Sequence, residues 1–346
     1  MIILNELSTY RSALMGVAMI SVFCFHGISS WAPEWIYNIC KNGDSGVDIF
    51  LFLSAIGLCY SFDRNPDVLA FYKRRLLRIF PTYWFIMTCI WGFCMSLMAI
   101  GKMPDNYIEL PHSVWEALQA YTTLGYWIPN GLWFRWYIPA IIPLYLLFPL
   151  WFALLKKCKW IGVLSIVPSF LIAHVSMHFE WYQWLLVYRI GIFLFGACCY
   201  PLVKEAKQLI YGSKLKSVAL NLPVLFIVFG GAIWIYYIIR AELKLTTMPY
   251  QPLEDALFYV MMPGLLLAIC QVCKFKYVNV CLSFIGTISL EFYLIHEFII
   301  RFTLTLSNSY LHIGRGSQLV MAFFVSLILA YTTHCMMNIK NVTHKH

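Results

Sequence analysis

Residues 46–62 read Gly-Val-Asp-Ile-Phe-Leu-Phe-Leu-Ser-Ala-Ile-Gly-Leu-Cys-Tyr-Ser-Phe, with Asp48 the one charge in the run. A helix needs roughly 17 to 25 predominantly apolar residues to cross a bilayer, and this run has that length. Working outward, comparable runs occupy 12–29, 80–100, 133–155, 160–178, 181–202, 217–239, 254–272, 279–300 and 317–338. The 346-residue chain is 61% hydrophobic and 12% charged, with a mean hydropathy of +0.72. Those values exclude a water-soluble globule, a disordered chain and a secreted disulfide scaffold. The expected fold is all-α: a polytopic transmembrane helix bundle of about ten spans, with residues 1–346 forming a single transmembrane domain. The segment 118–129 is too short and too polar to span, and reads as a re-entrant or interfacial piece.

Charge orients the bundle. Ten spans with both termini cytoplasmic place 17 of the 25 Lys and Arg residues inside and 7 outside, with Arg189 within a span. That asymmetry is a positive-inside pattern. The net charge of +9 therefore reads as orientation, and no nucleic-acid partner is expected. Aromatic residues, 18% of the chain, suit helix ends at a headgroup boundary. The first run has only Arg11 ahead of it and no small-residue cleavage site, so it is expected to stay as a span. The 12 cysteines fall mostly in apolar runs without zinc-ligand spacing, and no metal is expected.

Ionisable groups inside a membrane are costly, about 2.5 to 3.5 kcal/mol at the centre on insertion scales, so each is a site candidate. With about 1.5 Å of rise per residue, His26 lies near the outer end of the first span and Asp48 near the outer start of the second. His174 and His178 lie toward the outer end of the fifth, and Arg189 about 12 Å below the outer end of the sixth. His296 lies roughly 24 Å above the inner end of the ninth, beside Glu297, with Glu291 nearer the middle. These groups lean toward the outer half, as a cavity opening outward requires. Ser289, Tyr293 and His296 share one face of the ninth span, and Glu291 points away. Cavity lining and interhelical hydrogen bonding both fit that face. On the inner side, Lys73-Arg74-Arg75-Leu76-Leu77-Arg78 precedes Phe80-Pro81. If helical, Arg75 and Arg78 share a face at i, i+3, and Arg74 and Arg78 at i, i+4. Guanidinium forks so spaced suit a phosphate-bearing ligand, and they also suit a topology signal.

Taken in order, several stretches resemble acyltransferase family 3. They are Leu14-Met15-Gly16-Val17-Ala18 leading to Phe25-His26, Gly46 to Ser54, Phe71 to Pro81, Trp136-Tyr137 with Tyr145, and Gly286 to His296. Two positions depart from the family pattern. Met15 stands where members often carry an Arg eleven residues before the histidine, Arg11 being the nearest, and Ser54-Ala55 replaces the usual Ser-Gly.

The resemblance implies an acyl-CoA-dependent O-acyltransferase of the inner membrane, acetyl-CoA being the expected donor. The acceptor would be a hydroxyl of a surface polysaccharide, as in exopolysaccharide modification. It makes His26 the general base and Arg74, Arg75 and Arg78 the holders of the donor's phosphates. Arg189, Tyr137, Tyr293, His296 and Asp48 are further candidates for holding the acceptor or stabilising the oxyanion. The expected partners are membrane lipid, acyl-CoA and a carbohydrate acceptor. Two other classes stay open on the residues alone. Intramembrane His, Arg and Glu also serve transporters or flippases, and a haem protein would need His26 and His296 as facing axial ligands.

Overall fold

The computed structural model describes residues 2–28, 31–101, 109–158, 184–187, 189–210, 251–306 and 313–342, and among them all regular structure is helical. In chain order the helices are α1 (Ile2–Thr9), α2 (Arg11–Gly27), α3 (Glu34–Cys40), α4 (Gly46–Arg64), α5 (Val68–Ala99), α6 (Val114–Tyr121) and α7 (Tyr137–Lys157). They continue with α8 (Trp184–Val187), α9 (Ile190–Ile210), α10 (Gln251–Val272), α11 (Lys276–Thr287), α12 (Ser289–Leu306) and α13 (Arg315–Val342). Among the described residues, four helical stretches are long and apolar enough to cross a membrane: Glu34–Arg64, Val68–Ala99, Tyr137–Lys157 and Arg315–Asn338. Counting the bent pair α11 and α12 as one span makes five. Shorter apolar helices cover Arg11–Gly27, Ile190–Tyr200 and Met261–Val272. The expected spans 160–178 and 217–239, with His174 and His178, lie outside the described residues. The chain is a multi-pass membrane protein.

Two elements differ from the sequence reading for physical reasons. The helix of the expected span 80–100 begins earlier and takes in the basic segment before Phe80-Pro81: α5 starts at Val68, with the Asp67 side chain accepting from the Ala70 N–H at 3.0 Å. That cap, followed by Leu, Lys and Arg, favours helix from the outset. The expected span 279–300 is broken, α11 and α12 meeting at 77°. The break falls at Gly286-Thr287-Ile288-Ser289, residues of low helix propensity. A new helix starts there, the Ile288 carbonyl accepting from the Phe292 N–H at 2.9 Å.

The chain groups into two compact units. The first comprises residues 1–15, 48–66 and 147–283. Its α1 packs on α10, and Asp63 accepts from the Tyr200 hydroxyl at 2.7 Å while pairing with Lys156. Phe62, Phe148 and Phe152 pack edge-on and stacked beside them. The second unit comprises residues 16–47, 67–146 and 284–346. Its centre is α12, which lies along α13 and against α5. Phe23, Phe292 and Phe323 form one aromatic cluster there, and Phe93, Phe298 and Phe302 another.

The segment 114–134 of the second unit does not span. It folds as α6, capped by Ser113, and a short 3-10 turn at Leu124–Trp127. The buried Tyr83 hydroxyl of α5 reaches the carbonyls of Ala120 at 3.0 Å and Phe134 at 3.2 Å. Gln119 accepts from the Leu132 N–H at 3.1 Å. These bonds fix the path of the chain into Arg135 and the start of α7.

Candidate active site

His26 ends α2, in its last turn, and is exposed. Its position is set by a close crossing of backbones: a Cβ on Gly43 would collide with the Ser21 carbonyl, and one on Gly46 with the Ala18 carbonyl. Only glycine admits the 43–46 turn so near α2. The His26 ring lies 5.2 Å, centroid to centroid, from the ring of His296 on α12, and Phe25 packs on it edge-first at 5.1 Å.

His296 is 1% exposed. Its Nδ1 sits 2.8 Å from the Tyr293 carbonyl and 3.1 Å from that of Phe292. Carbonyls only accept, so Nδ1 carries the proton and Nε2 the lone pair. Nε2 is buried with no hydrogen-bond partner among the described residues. Tyr293 lies one turn earlier, its ring 5.5 Å from that of Tyr137 at the start of α7. His26, Tyr137, Tyr293 and His296 thus share one neighbourhood of the second unit.

Arg135 and Glu297 join them; the sequence reading counted Arg135 toward topology alone and named Glu297 as the neighbour of His296 without giving it a role. Arg135 adopts a left-handed backbone, φ 54°. For a residue with a Cβ that conformation costs about 1–2 kcal/mol. The side chain compensates with several contacts. Nη1 donates to Glu297 Oε2 at 2.7 Å, Nε donates to the Leu294 carbonyl at 3.2 Å, and the guanidinium sits 4.9 Å over the Phe134 ring. Glu297 also accepts from Arg301 at 2.7 Å. Two guanidinium groups therefore share one carboxylate, leaving a net positive charge. The charges of Glu297, Arg135 and Arg301 fall within electrostatic reach of His26, as does Asp44. A lone Arg within Phe134-Arg135-Trp136-Tyr137, and an acid adjoining His296, were the available signals.

The other sequence candidates make different contacts. Arg74 and Arg78 are exposed on α5, and the half-buried Arg75 sits with its guanidinium 5.6 Å over the Phe71 ring. The Tyr72 hydroxyl donates to the Leu146 carbonyl at 2.7 Å, fastening this end of α5 to α7. Asp48 and Arg189 belong to the first unit, where they pair at 3.2 Å, 5% and 3% exposed. Arg11 lies against Gly57 in that unit. Among the described residues no three His, Cys, Asp or Glu side chains form a group able to hold a metal.

Glu291 occupies a different face of α12 and pairs with His334 of α13 at 2.9 Å. Asn338 lies 3.0 Å from the second nitrogen of His334. No buried polar atom of Glu291 or His334 lacks a partner. For the haem reading, the His26 and His296 imidazoles contact each other directly, with Phe23 and Phe292 against His296. That packing leaves no slot for a macrocycle between them.

A family model described as an acyltransferase domain, that of acyltransferase family 3, matches residues 13–335, nearly the whole chain. Neither the curated proteins nor the solved structures offer a significant match.

Proposed function

The chain belongs to acyltransferase family 3, and from that premise we propose that it carries an acyl group, acetyl foremost, from cytoplasmic acyl-CoA through the inner membrane to a hydroxyl of a surface glycan. The observation that carries this reading is the exposed His26 ring beside the buried His296 ring, at 5.2 Å, in a chain of an acyltransferase family.

The inner, basic end of α5 holds the donor. Arg74, Arg75 and Arg78 meet its phosphates with charge-assisted hydrogen bonds. The thioester arm then threads toward the outer ends of α2 and α12 while the nucleotide stays inside. His26 acts as general base, a task suited to an imidazole near neutrality. It takes the proton of the acceptor hydroxyl as the oxygen attacks the thioester carbonyl carbon. The carbonyl π pair moves to its oxygen, giving a tetrahedral oxyanion. That oxyanion collapses, the carbon–sulfur bond breaks, and the departing thiolate takes the proton from His26. Ester and free CoA thiol result.

Tyr137 and Tyr293 line the acceptor's approach. His296, whose Nε2 offers a lone pair and no proton, accepts from a second, non-attacking hydroxyl of the glycan, leaving the attacking hydroxyl's proton to His26.

Proteoliposomes given isotopically labelled acetyl-CoA on the side of Arg75 and candidate glycans on the other test this directly. The expected result is a labelled ester on the glycan and one CoA thiol released per ester, read by mass spectrometry. Movement of unmodified glycan without CoA release would instead identify a transporter or flippase.

A further inference from the structure

We infer that Arg135 is a catalytic residue, its Nη2 donating to the oxyanion formed when the acceptor oxygen adds to the acyl carbonyl. This inference rests on the acyl-transfer reading and assigns a group that reading leaves open.

Arg135 is held as a transition-state donor must be held. Nη1 and Nε are committed to Glu297 and to the Leu294 carbonyl, so the guanidinium plane is fixed in two directions. The left-handed backbone at Arg135, braced by the Tyr83 contact to the Phe134 carbonyl, fixes it from its own end. Nη2 is buried and has no hydrogen-bond partner among the described residues. Buried polar atoms are satisfied in the great majority of cases, so an orphan on an otherwise pinned cation calls for a ligand atom. A donor already in place needs no reorganisation as charge develops, which makes such donors worth far more than mobile ones.

The neighbourhood has the matching chemistry. Arg135 reaches α12 between Leu294 and Glu297, the turn that carries His296, and His296 meets His26. Nε2 of His296 is the other orphan of this turn, and it is an acceptor. One unpartnered donor and one unpartnered acceptor beside an accessible imidazole match a developing oxyanion and a non-attacking hydroxyl of the same acceptor, the imidazole taking the attacking hydroxyl's proton. The local charge agrees: Glu297 faces both Arg135 and Arg301 and cannot cancel the two, so Arg135 keeps positive charge for a developing oxyanion, while the second carboxylate of the neighbourhood, Asp44, acts on His26. His296 cannot serve as the donor, because its proton is directed at the Tyr293 carbonyl.

The test uses the full chain in proteoliposomes with acetyl-CoA and the acceptor identified by the labelling experiment. Arg135→Ala is expected to lower kcat about 10²- to 10³-fold, the loss typical of one oxyanion donor, with little change in either KM. Added guanidinium ion is expected to restore part of the turnover, which it would not do if the arginine served only packing. Arg135→Lys keeps a charge for Glu297 but loses the fork. It is expected to unfold at the wild-type temperature while still losing at least about tenfold in kcat, and it decides the matter if the alanine variant does not fold. Wild-type turnover in a folded Arg135→Lys or Arg135→Ala protein overturns the inference and leaves acyl transfer standing. A wild-type protein that never consumes acetyl-CoA overturns acyl transfer, and the inference with it.

Discussion

Helix α12 presents a glutamate with a nearby histidine on each of two faces, Glu291 with His334 of α13 and Glu297 with its own neighbour His296, and the two faces differ. On one, Glu291 meets His334, which meets Asn338, and no buried polar atom of Glu291 or His334 lacks a partner. On the other, Glu297 meets Arg135 and Arg301, His296 bonds its own helix, and two buried atoms, His296 Nε2 and Arg135 Nη2, have no protein partner among the described residues. Residue type does not distinguish them. A completed polar network inside a membrane is a strut between helices, whereas an incomplete one beside an accessible histidine is a place for a substrate's polar atoms.

The largest effect is expected at His26. His26→Ala should lower acyl transfer about 10²- to 10⁴-fold, the usual contribution of a positioned base. Wild-type turnover in a folded His26→Ala protein would show that the face of α12 bearing His296 is not the reaction site. A smaller and different effect is expected at the basic end of α5. Replacing Arg75 and Arg78 by Ala should raise the donor KM at least about tenfold per lost charge-assisted bond, and leave kcat nearly unchanged. The wild-type protein should show a donor KM that rises with salt, since exposed charges are screened, and the double variant should not. An unchanged donor KM would reduce these arginines to topology determinants. The smallest effect on turnover is expected on the closed face. Glu291→Gln, which replaces a carboxylate held by His334, should cost about 1–3 kcal/mol of stability, read as a lower unfolding temperature in detergent. The folded fraction should turn over at the wild-type rate.

Much of this was legible in the sequence, and the reasons the rest was not are physical. Apolar runs announce helices whose length the bilayer dictates, so α4, α7 and α13 fall close to their expected bounds. Helical phase placed Tyr293 and His296 together and turned Glu291 away, as the structure has them. The break before Ser289 was hidden because Gly286-Thr287-Ile288 is as apolar as a continuous span, and hydropathy does not register backbone propensity. The helical start at Val68 was hidden by its charges, although Asp67 is an ordinary cap. Arg135 was hidden for a third reason. As a charge beside an apolar run it counts only toward topology. Its partners Leu294 and Glu297 lie far along the chain, where no local periodicity connects them.

The most direct test replaces the corresponding histidine on each face, His296→Gln and His334→Gln, and measures kcat and unfolding temperature on both purified proteins. His296→Gln is expected to lose turnover with little change in unfolding temperature, because a group meant for substrate has been altered. His334→Gln is expected to lower the unfolding temperature and keep the wild-type kcat in the folded fraction. The reverse pattern, with turnover lost at His334 and kept at His296, would exchange the roles of the two faces and overturn the assignment of the site.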